Sequence, residues 1–279
     1  MRRYVLYALL LSLLIPSARA DLLGSASSFA VLGGSTVTNT GPSLVYGNLG
    51  VSPGTAVTGF PPGTVIAPGS IYTDTPGVAG TAQNDLTTAY NTLAGLAVTG
   101  TLTGVDLGGQ TLLSGVYFFA TSAQLTGTLT LDAQGLANQY WVFQIGSTLT
   151  TASASSVQFI NQGANEGLFW QVGTSATLGT TTAFEGNIVA LDSITMNNGA
   201  TISCGRALAR NGAVTLDTNT LDAGCPVTAE GGGPSGGGMS GFIPNGNGGL
   251  SAVPEPSALV LLATCIAGLA IRRKWARSK

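Results

Sequence analysis

Thr128 and Thr130 stand on either side of Leu129, and the arrangement recurs along the chain. Thr148 and Thr150 flank Leu149, Ser175 and Thr177 flank Ala176, Ser193 and Thr195 flank Ile194, and Ala213 and Thr215 flank Val214. In an extended strand, residues two apart point to one side and the residue between them to the other. Each triplet therefore predicts an inward apolar side chain between two outward small or hydroxyl-bearing ones. A second series pairs Thr180 with Thr182, Gly199 with Thr201, and Thr218 with Thr220. No position in either series is charged. Thr suits work at a surface. Its branched side chain is stiff in a strand, its methyl leaves disordered water favourably, and its hydroxyl can join a hydrogen-bonded array. Many such groups at fixed spacing fit adsorption to an extended surface better than capture of a small molecule. Thr is also an ordinary strand-surface residue, so the triplets alone do not identify a partner. The longer series is the first candidate for a contact face, and the second series is the reserve.

Catalytic chemistry finds little to work with. The chain has no His, which removes the commonest general base and metal ligand, and with it Ser-His-Asp, Cys-His and zinc–His sites. Hydrolysis of a polysaccharide would need paired carboxylates. Glu185, Asp192 and Asp217 come nearest to such a set, and they read as solvated turn residues. The other acids are dispersed, and no D-x-[DN]-x-[DN]-G calcium loop occurs. No metal, no cofactor and no enzymatic activity is expected. Between residues 21 and 253 only Arg206 and Arg210 oppose eleven acids, a net charge of about −9. Nucleic-acid and anionic-lipid binding both need a basic patch and are not expected. Trp141, Phe143, Phe169 and Trp170 fall within apolar strands and are assigned to the core. Cys204 and Cys225 would share an oxidising compartment and form a candidate disulfide; two separate buried thiols are the alternative.

The elements that must carry the triplets are short. Glu185-Gly186-Asn187-Ile188-Val189-Ala190 is echoed nineteen residues on by Cys204-Gly205-Arg206-Ala207-Leu208-Ala209. The same step relates Ala183 to Ile202, Ile202 to Leu221, Thr182 to Thr201, and Thr201 to Thr220. Leu129, Leu149, Ala176, Ile194 and Val214 follow one another at steps of 20, 27, 18 and 20. The step of 27 contains residues 161–167, which read as a loop bulging from one coil. Gly is abundant, at 41 of 279 residues, so turns are frequent and interior space is narrow. Strands of a few residues broken by Gly/Asn turns at a near-constant step suit a three-sided β-helix. Its coils cannot bury an apolar face singly and stack to share one core. A β-sandwich, the structural alternative, would not require that step.

One segment breaks the pattern. Ala79, Ala82, Leu86, Ala89, Tyr90 and Leu93 fall at three- and four-residue steps, with Pro76 at the start and Gly95 near the end. The spacing predicts an amphipathic helix over about residues 77–95, lying along one side of the solenoid. At this point the sequence is similar to a known family. Residues 28–34 (SFAVLGG), 46–54 (YGNLGVSPG), 82–96, 115–117 (GVY), 140–144 (YWVFQ) and 205–216 (GRALARNGAVTL) resemble the DUF3494 family of microbial ice-binding proteins. The resemblance spans nearly all of residues 21–225. It implies an all-β-dominated fold: a discontinuous three-sided β-helix with one long α-helix packed alongside, whose first coils come from the N-terminal strands. Ice or ordered water would then be the partner of one flat Thr-rich face.

The ends read as processing segments. Arg2 and Arg3, the apolar run 4–15 and Ala18-Arg19-Ala20 make residues 1–20 a signal peptide, cut by signal peptidase before Asp21. Residues 21–229 form the solenoid domain, and residues 230–252 a Gly/Ser/Pro/Asn-rich linker. Pro254-Glu255-Pro256, the apolar segment 258–271 and the basic Arg272 and Arg273 resemble the PEP-CTERM sorting signal over residues 253–279, including a short transmembrane segment. That resemblance implies cleavage by an exosortase-type enzyme. It also implies export across the inner membrane, a transient membrane anchor and an extracellular or cell-surface destination. It further supports the alternative function: a structural or adhesive protein of the matrix, with exopolysaccharide as partner and no ice activity.

Overall fold

The computed structural model describes residues 21–74, 76–224, 242–245 and 249–252. Its chain coils in part because one corner carries, coil after coil, a residue that turns the backbone sharply. Ala154, Thr181, Gly199, Thr218 and Gly41 occupy one corner on five coils, all with positive φ, between 54° and 76°. Backbone bonds tie that corner from coil to coil: the amides of Ala154, Thr181, Gly199 and Thr218 donate to Thr180, Asn198, Asp217 and Thr40 carbonyls at 2.9–3.2 Å. At Gly41 a side chain would also strike the Thr218 hydroxyl, 2.3 Å from where a Cβ would sit. Polar side chains line the inside of the same corner. The Thr151 and Thr182 hydroxyls pair at 2.8 Å, Ser155 donates to the Leu125 carbonyl, and the Asn219 amide donates to the Asn197 and Ala200 carbonyls. A buried corner would otherwise strand backbone groups without partners.

Three faces result. The first is a seven-stranded parallel sheet, in spatial order Ala123–Leu125, Leu149–Thr151, Ala176–Leu178, Ile194–Met196, Val214–Asp217, Thr36–Thr40 and Ala56–Thr58. The second contains Gly115–Phe119, Tyr140–Ile145, Gly167–Val172, the ends of Ala183–Ala190 and Thr201–Ala209, then Phe29–Gly33 and Asn48–Val51. The third runs from Thr111–Leu113 through Thr128–Asp132 and Ser156–Ile160 to the starts of Ala183–Ala190 and Thr201–Ala209, then Thr220–Asp222, Leu44–Tyr46 and Thr64–Ile66. On every face the N-terminal strands stack onto the last C-terminal coil. The solenoid is therefore discontinuous in sequence and continuous in space.

The interior holds the large side chains. Trp141, Phe143, Trp170 and Phe184 are fully buried. Phe143 and Trp170 stack with ring centroids 4.1 Å apart. Each indole N–H finds a carbonyl, Trp141 to Leu112 at 3.1 Å and Trp170 to Glu185 at 3.0 Å. Phe169 is buried too, but on the outside of the solenoid wall, in the cluster under the helix. Alternation along Gly167–Val172 requires this, since its neighbours Leu168 and Trp170 point inward.

The helix, α1, spans Val78–Ala94 and buries Ala79, Ala82, Leu86, Ala89 and Leu93 against Phe29, Leu32, Val116, Val142, Phe169, Val189 and Leu208 of the second face. Its N-terminus is capped by Asp74, whose carboxylate accepts the Val78 and Ala79 amides at 2.7 and 3.0 Å. Gln144 donates to the Leu93 and Leu96 carbonyls at 2.8 and 3.0 Å and holds the other end. Orphaned helix-end groups are thus satisfied at both termini.

Three expectations need correction. The nineteen-residue step relates Thr201 to Thr220, Ile202 to Leu221 and Asn187 to Arg206, but Ala183 pairs with Thr201 and Phe184 with Ile202, a step of eighteen. The extra residue lies at Cys204 and Gly205, where Cys204 has φ 50°. Thr182 is consequently not the partner of Thr201. The expected transmembrane helix is not found. Among the described residues no helix is long and apolar enough to cross a membrane. Among the described residues the long helix is α1, which is apolar on one face alone, and residues 258–271 lie outside the described residues. Finally, the stretch 230–252 is not all spacer, because Phe242–Pro244 and Leu250–Ala252 pair as an antiparallel hairpin and Leu250 is buried in the cluster under α1. The signal peptide 1–20, Cys225 and the sorting signal 253–279 also lie outside the described residues.

Candidate functional site

Along the seven-stranded sheet, the inward position is filled by Leu149, Ala176, Ile194, Val214 and Val37, all buried. The next residue outward is Thr on six successive strands: Thr150, Thr177, Thr195, Thr215, Thr38 and Thr58. Gln124 precedes this column at one end. Neighbouring parallel strands lie about 4.8 Å apart, so seven of them span about 29 Å. A second outward column stands about 6.6 Å away along the strands: Thr148, Ser175, Ser193, Ala213, Thr36 and Ala56. Neither column contains a charged residue.

The two columns differ in their hydrogen bonds. Ser175 and Ser193 accept the Ser193 and Ala213 amides of the next coil, each at 3.2 Å. Their hydroxyls are thus tied to the wall. In the Thr column, Thr38 and Thr215 approach at 3.3 Å. Among the described residues no intramolecular hydrogen bond engages the hydroxyls of Thr150, Thr177 or Thr195. Their donors and acceptors are left to whatever meets the sheet.

The structure divides the predicted residues. It brings Thr148, Thr150, Ser175, Thr177, Ser193, Thr195 and Thr215 together on this sheet. It removes Thr128 and Thr130, which pair with Ser156 and Gln158 on the third face. The strand that belongs at that end is Ala123–Leu125, because Ala123, not Leu129, pairs with Leu149. The coils there are longer by two loops, residues 133–139 and 161–166, and a fixed step of twenty lands on the wrong face. Sequence reasoning also missed Thr36, Thr38 and Thr58. Their signal was present: Thr36-Val37-Thr38 and Ala56-Val57-Thr58 repeat the triplet, and Thr38 meets Thr215 across 177 residues of chain.

The reserve series does not form a comparable surface. Thr201 and Thr220 are paired on the third face. Thr180 and Thr218 occupy the corner, Thr218 with φ 55°. Thr182 is buried and points inward, where its hydroxyl meets Thr151 and the Ala152 carbonyl. The third face itself is uneven. Its outward positions include Glu185, Asp222 and the 40 % exposed Tyr46, and the Cys204 bulge interrupts it.

The carboxylates considered for hydrolysis are dispersed. Glu185 is on the third face, Asp217 closes a strand of the Thr sheet beside Asn198, and Asp192 sits at the opposite corner of that sheet. Burial pushes the Glu185 carboxyl up to about 7, yet among the described residues no second carboxylate contributes to that shift, as an acid–base pair would require. Among the described residues no group of three or more His, Cys, Asp or Glu could hold a metal. Cys204 is buried at the bulge.

Comparison with known proteins converges on one family. The Ice-binding-like family model matches residues 31–222, and a PEP-CTERM protein-sorting motif matches residues 252–274. An ice-binding protein of Nostoc sp. (strain HG1) is 59% identical over 210 residues, covering 75% of this chain and 76% of that protein. One from Colwellia sp is 33% identical over 214 residues, covering 72% and 83%. The crystal structure of an ice binding protein from an Antarctic biological consortium superposes with a TM-score of 0.68 at 43% identity, covering 74% of this chain and 92% of that one. That from the ascomycete Antarctomyces psychrotrophicus gives 0.67 at 40% identity, covering 73% and 98%. By sequence and by fold, the chain belongs to the ice-binding-like family.

Proposed function

We propose that this protein adsorbs to ice through the seven-stranded sheet and thereby restrains ice growth or recrystallisation. One observation carries the reading: six successive strands present Thr at the same outward position, in a column without charge. Stiff, evenly spaced hydroxyl–methyl groups are already ordered before contact, so little side-chain entropy is lost when the sheet meets ordered water. Each contact is weak, and the area supplies the strength. The names of the relatives support the same partner. Export is read as starting with removal of residues 1–20 and ending with exosortase-type cleavage near Pro254-Glu255-Pro256. Outside the cell a Cys204–Cys225 disulfide would pin the chain leaving the last coil to the bulge.

The test is purified protein spanning residues 21–252, assayed for thermal hysteresis and for recrystallisation of fine ice at micromolar concentration. Hysteresis together with arrested coarsening is expected. Normal coarsening with a folded sample would overturn the reading. A matrix protein that binds exopolysaccharide would give that second result.

A further inference from the structure

We infer that the chain leaves the domain at the vertex opposite the Thr sheet, so that a hold on the C-terminus presents that sheet outward. The inference rests on the ice-binding reading for its purpose but on separate observations for its geometry. Each coil passes from the helix-covered face to the Thr sheet, then to the third face, then back. The vertex between the third face and the helix-covered face is therefore the one that the Thr sheet does not touch. Tyr140 opens its strand at that vertex, immediately after the loop 133–139. The hairpin docks there. Leu250 is 4% exposed within the cluster under α1, to which Tyr140 also contributes. Gly249 lies so close to the Tyr140 hydroxyl that a Cβ would stand 2.8 Å from it. The hairpin is also internally fastened, with Asn245 accepting the Gly249 amide at 3.0 Å through its side chain and donating its own amide to the Gly249 carbonyl at 3.0 Å.

The docking point matters because of where the sorting motif begins. That motif matches from residue 252, the last residue of the hairpin. The attachment point is thus carried on the far side of the solenoid from the Thr sheet, instead of at the end of a long free tether. An attached molecule would keep its contact face clear of whatever holds it.

Two measurements on residues 21–252 test this. Limited proteolysis should cut within 242–252 slowly, and Leu250→Asp should raise that rate about tenfold, the population change expected when a Leu loses its burial, with the melting temperature of the solenoid unchanged. Equal rates in both proteins would overturn the docking. Separately, beads carrying the protein through a biotin placed after residue 252 should adhere to ice, while beads carrying it through a biotin on Thr177→Cys should not. If untethered protein arrests recrystallisation but the C-terminally held beads fail to adhere, the presentation inference is wrong and the ice-binding reading stands. If untethered protein leaves recrystallisation normal, the ice-binding reading fails, and the proteolysis still decides the docking.

Discussion

Thr195→Tyr asks whether a level Thr column does the work. Thr195 lies in the middle of the sheet, between Thr177 and Thr215. A phenol ring there rises above its neighbours, which stand only about 4.8 Å to either side. A flat crystal plane is then held off Thr177 and Thr215 as well, so three of the six Thr rungs lose contact. With a net worth of about 0.5–1.5 kcal/mol per hydrogen bond, the loss is about 1.5–4.5 kcal/mol. At about 1.4 kcal/mol per decade, adsorption weakens tenfold or more. Folding should not suffer. The position is half-exposed on a strand, Tyr favours strands as Thr does, and such surface changes are usually within about 0.5 kcal/mol. Thermal hysteresis and recrystallisation inhibition should collapse while the melting temperature holds. Thr201→Tyr, on the third face, is the matched control and should keep full activity. Wild-type activity in Thr195→Tyr, or its loss in Thr201→Tyr, would refute the assignment of the face.

Two further outcomes concern the scaffold. Asp74→Ala should lower the melting temperature and fray the start of α1, read by helical circular dichroism, because the Val78 and Ala79 amides lose their acceptor. Those amides hold the Asp74 carboxyl below its ordinary 3.8, so the folded pKa lies below the unfolded one. The stabilisation is therefore complete above about pH 4 and disappears as pH falls through the folded value, a dependence that the variant should lack. Glu185 has the opposite sign. Burial raises its carboxyl from 4.5 to about 7, so the folded state keeps a proton that the unfolded state has released. Stability should fall as pH rises from 4.5 to about 7 and then level off. Glu185→Gln should remove that slope in pH-dependent melting, and an unchanged slope would show that the group does not cause it.

The kinds of element, the stacking principle and the chemistry of the face were legible in the chain. Triplets such as Ser193-Ile194-Thr195 alternate because a strand has two sides. The helix shows its 3.6-residue period, and the missing His removes His-dependent sites while the scarcity of basic residues between 21 and 253 leaves no patch for nucleic acid, all without any coordinates. The membership of the face was not legible. Leu129 sits twenty residues before Leu149 and resembles its partner, yet the loops at the far vertex lengthen those coils, and Ala123 takes the place instead. Thr182 looks like Thr201 but turns inward, because one inserted residue at Cys204 shifts the register from eighteen to nineteen. Thr36, Thr38 and Thr58 carry the same triplet as the others, but only the stacking of the first coils onto the last brings them beside Thr215. Local pattern reports which side of a strand a residue occupies, since that is set by the backbone period. Which strands lie next to one another depends on how many residues each corner absorbs, and a loop at a corner changes that count without disturbing the hydrogen-bonded wall.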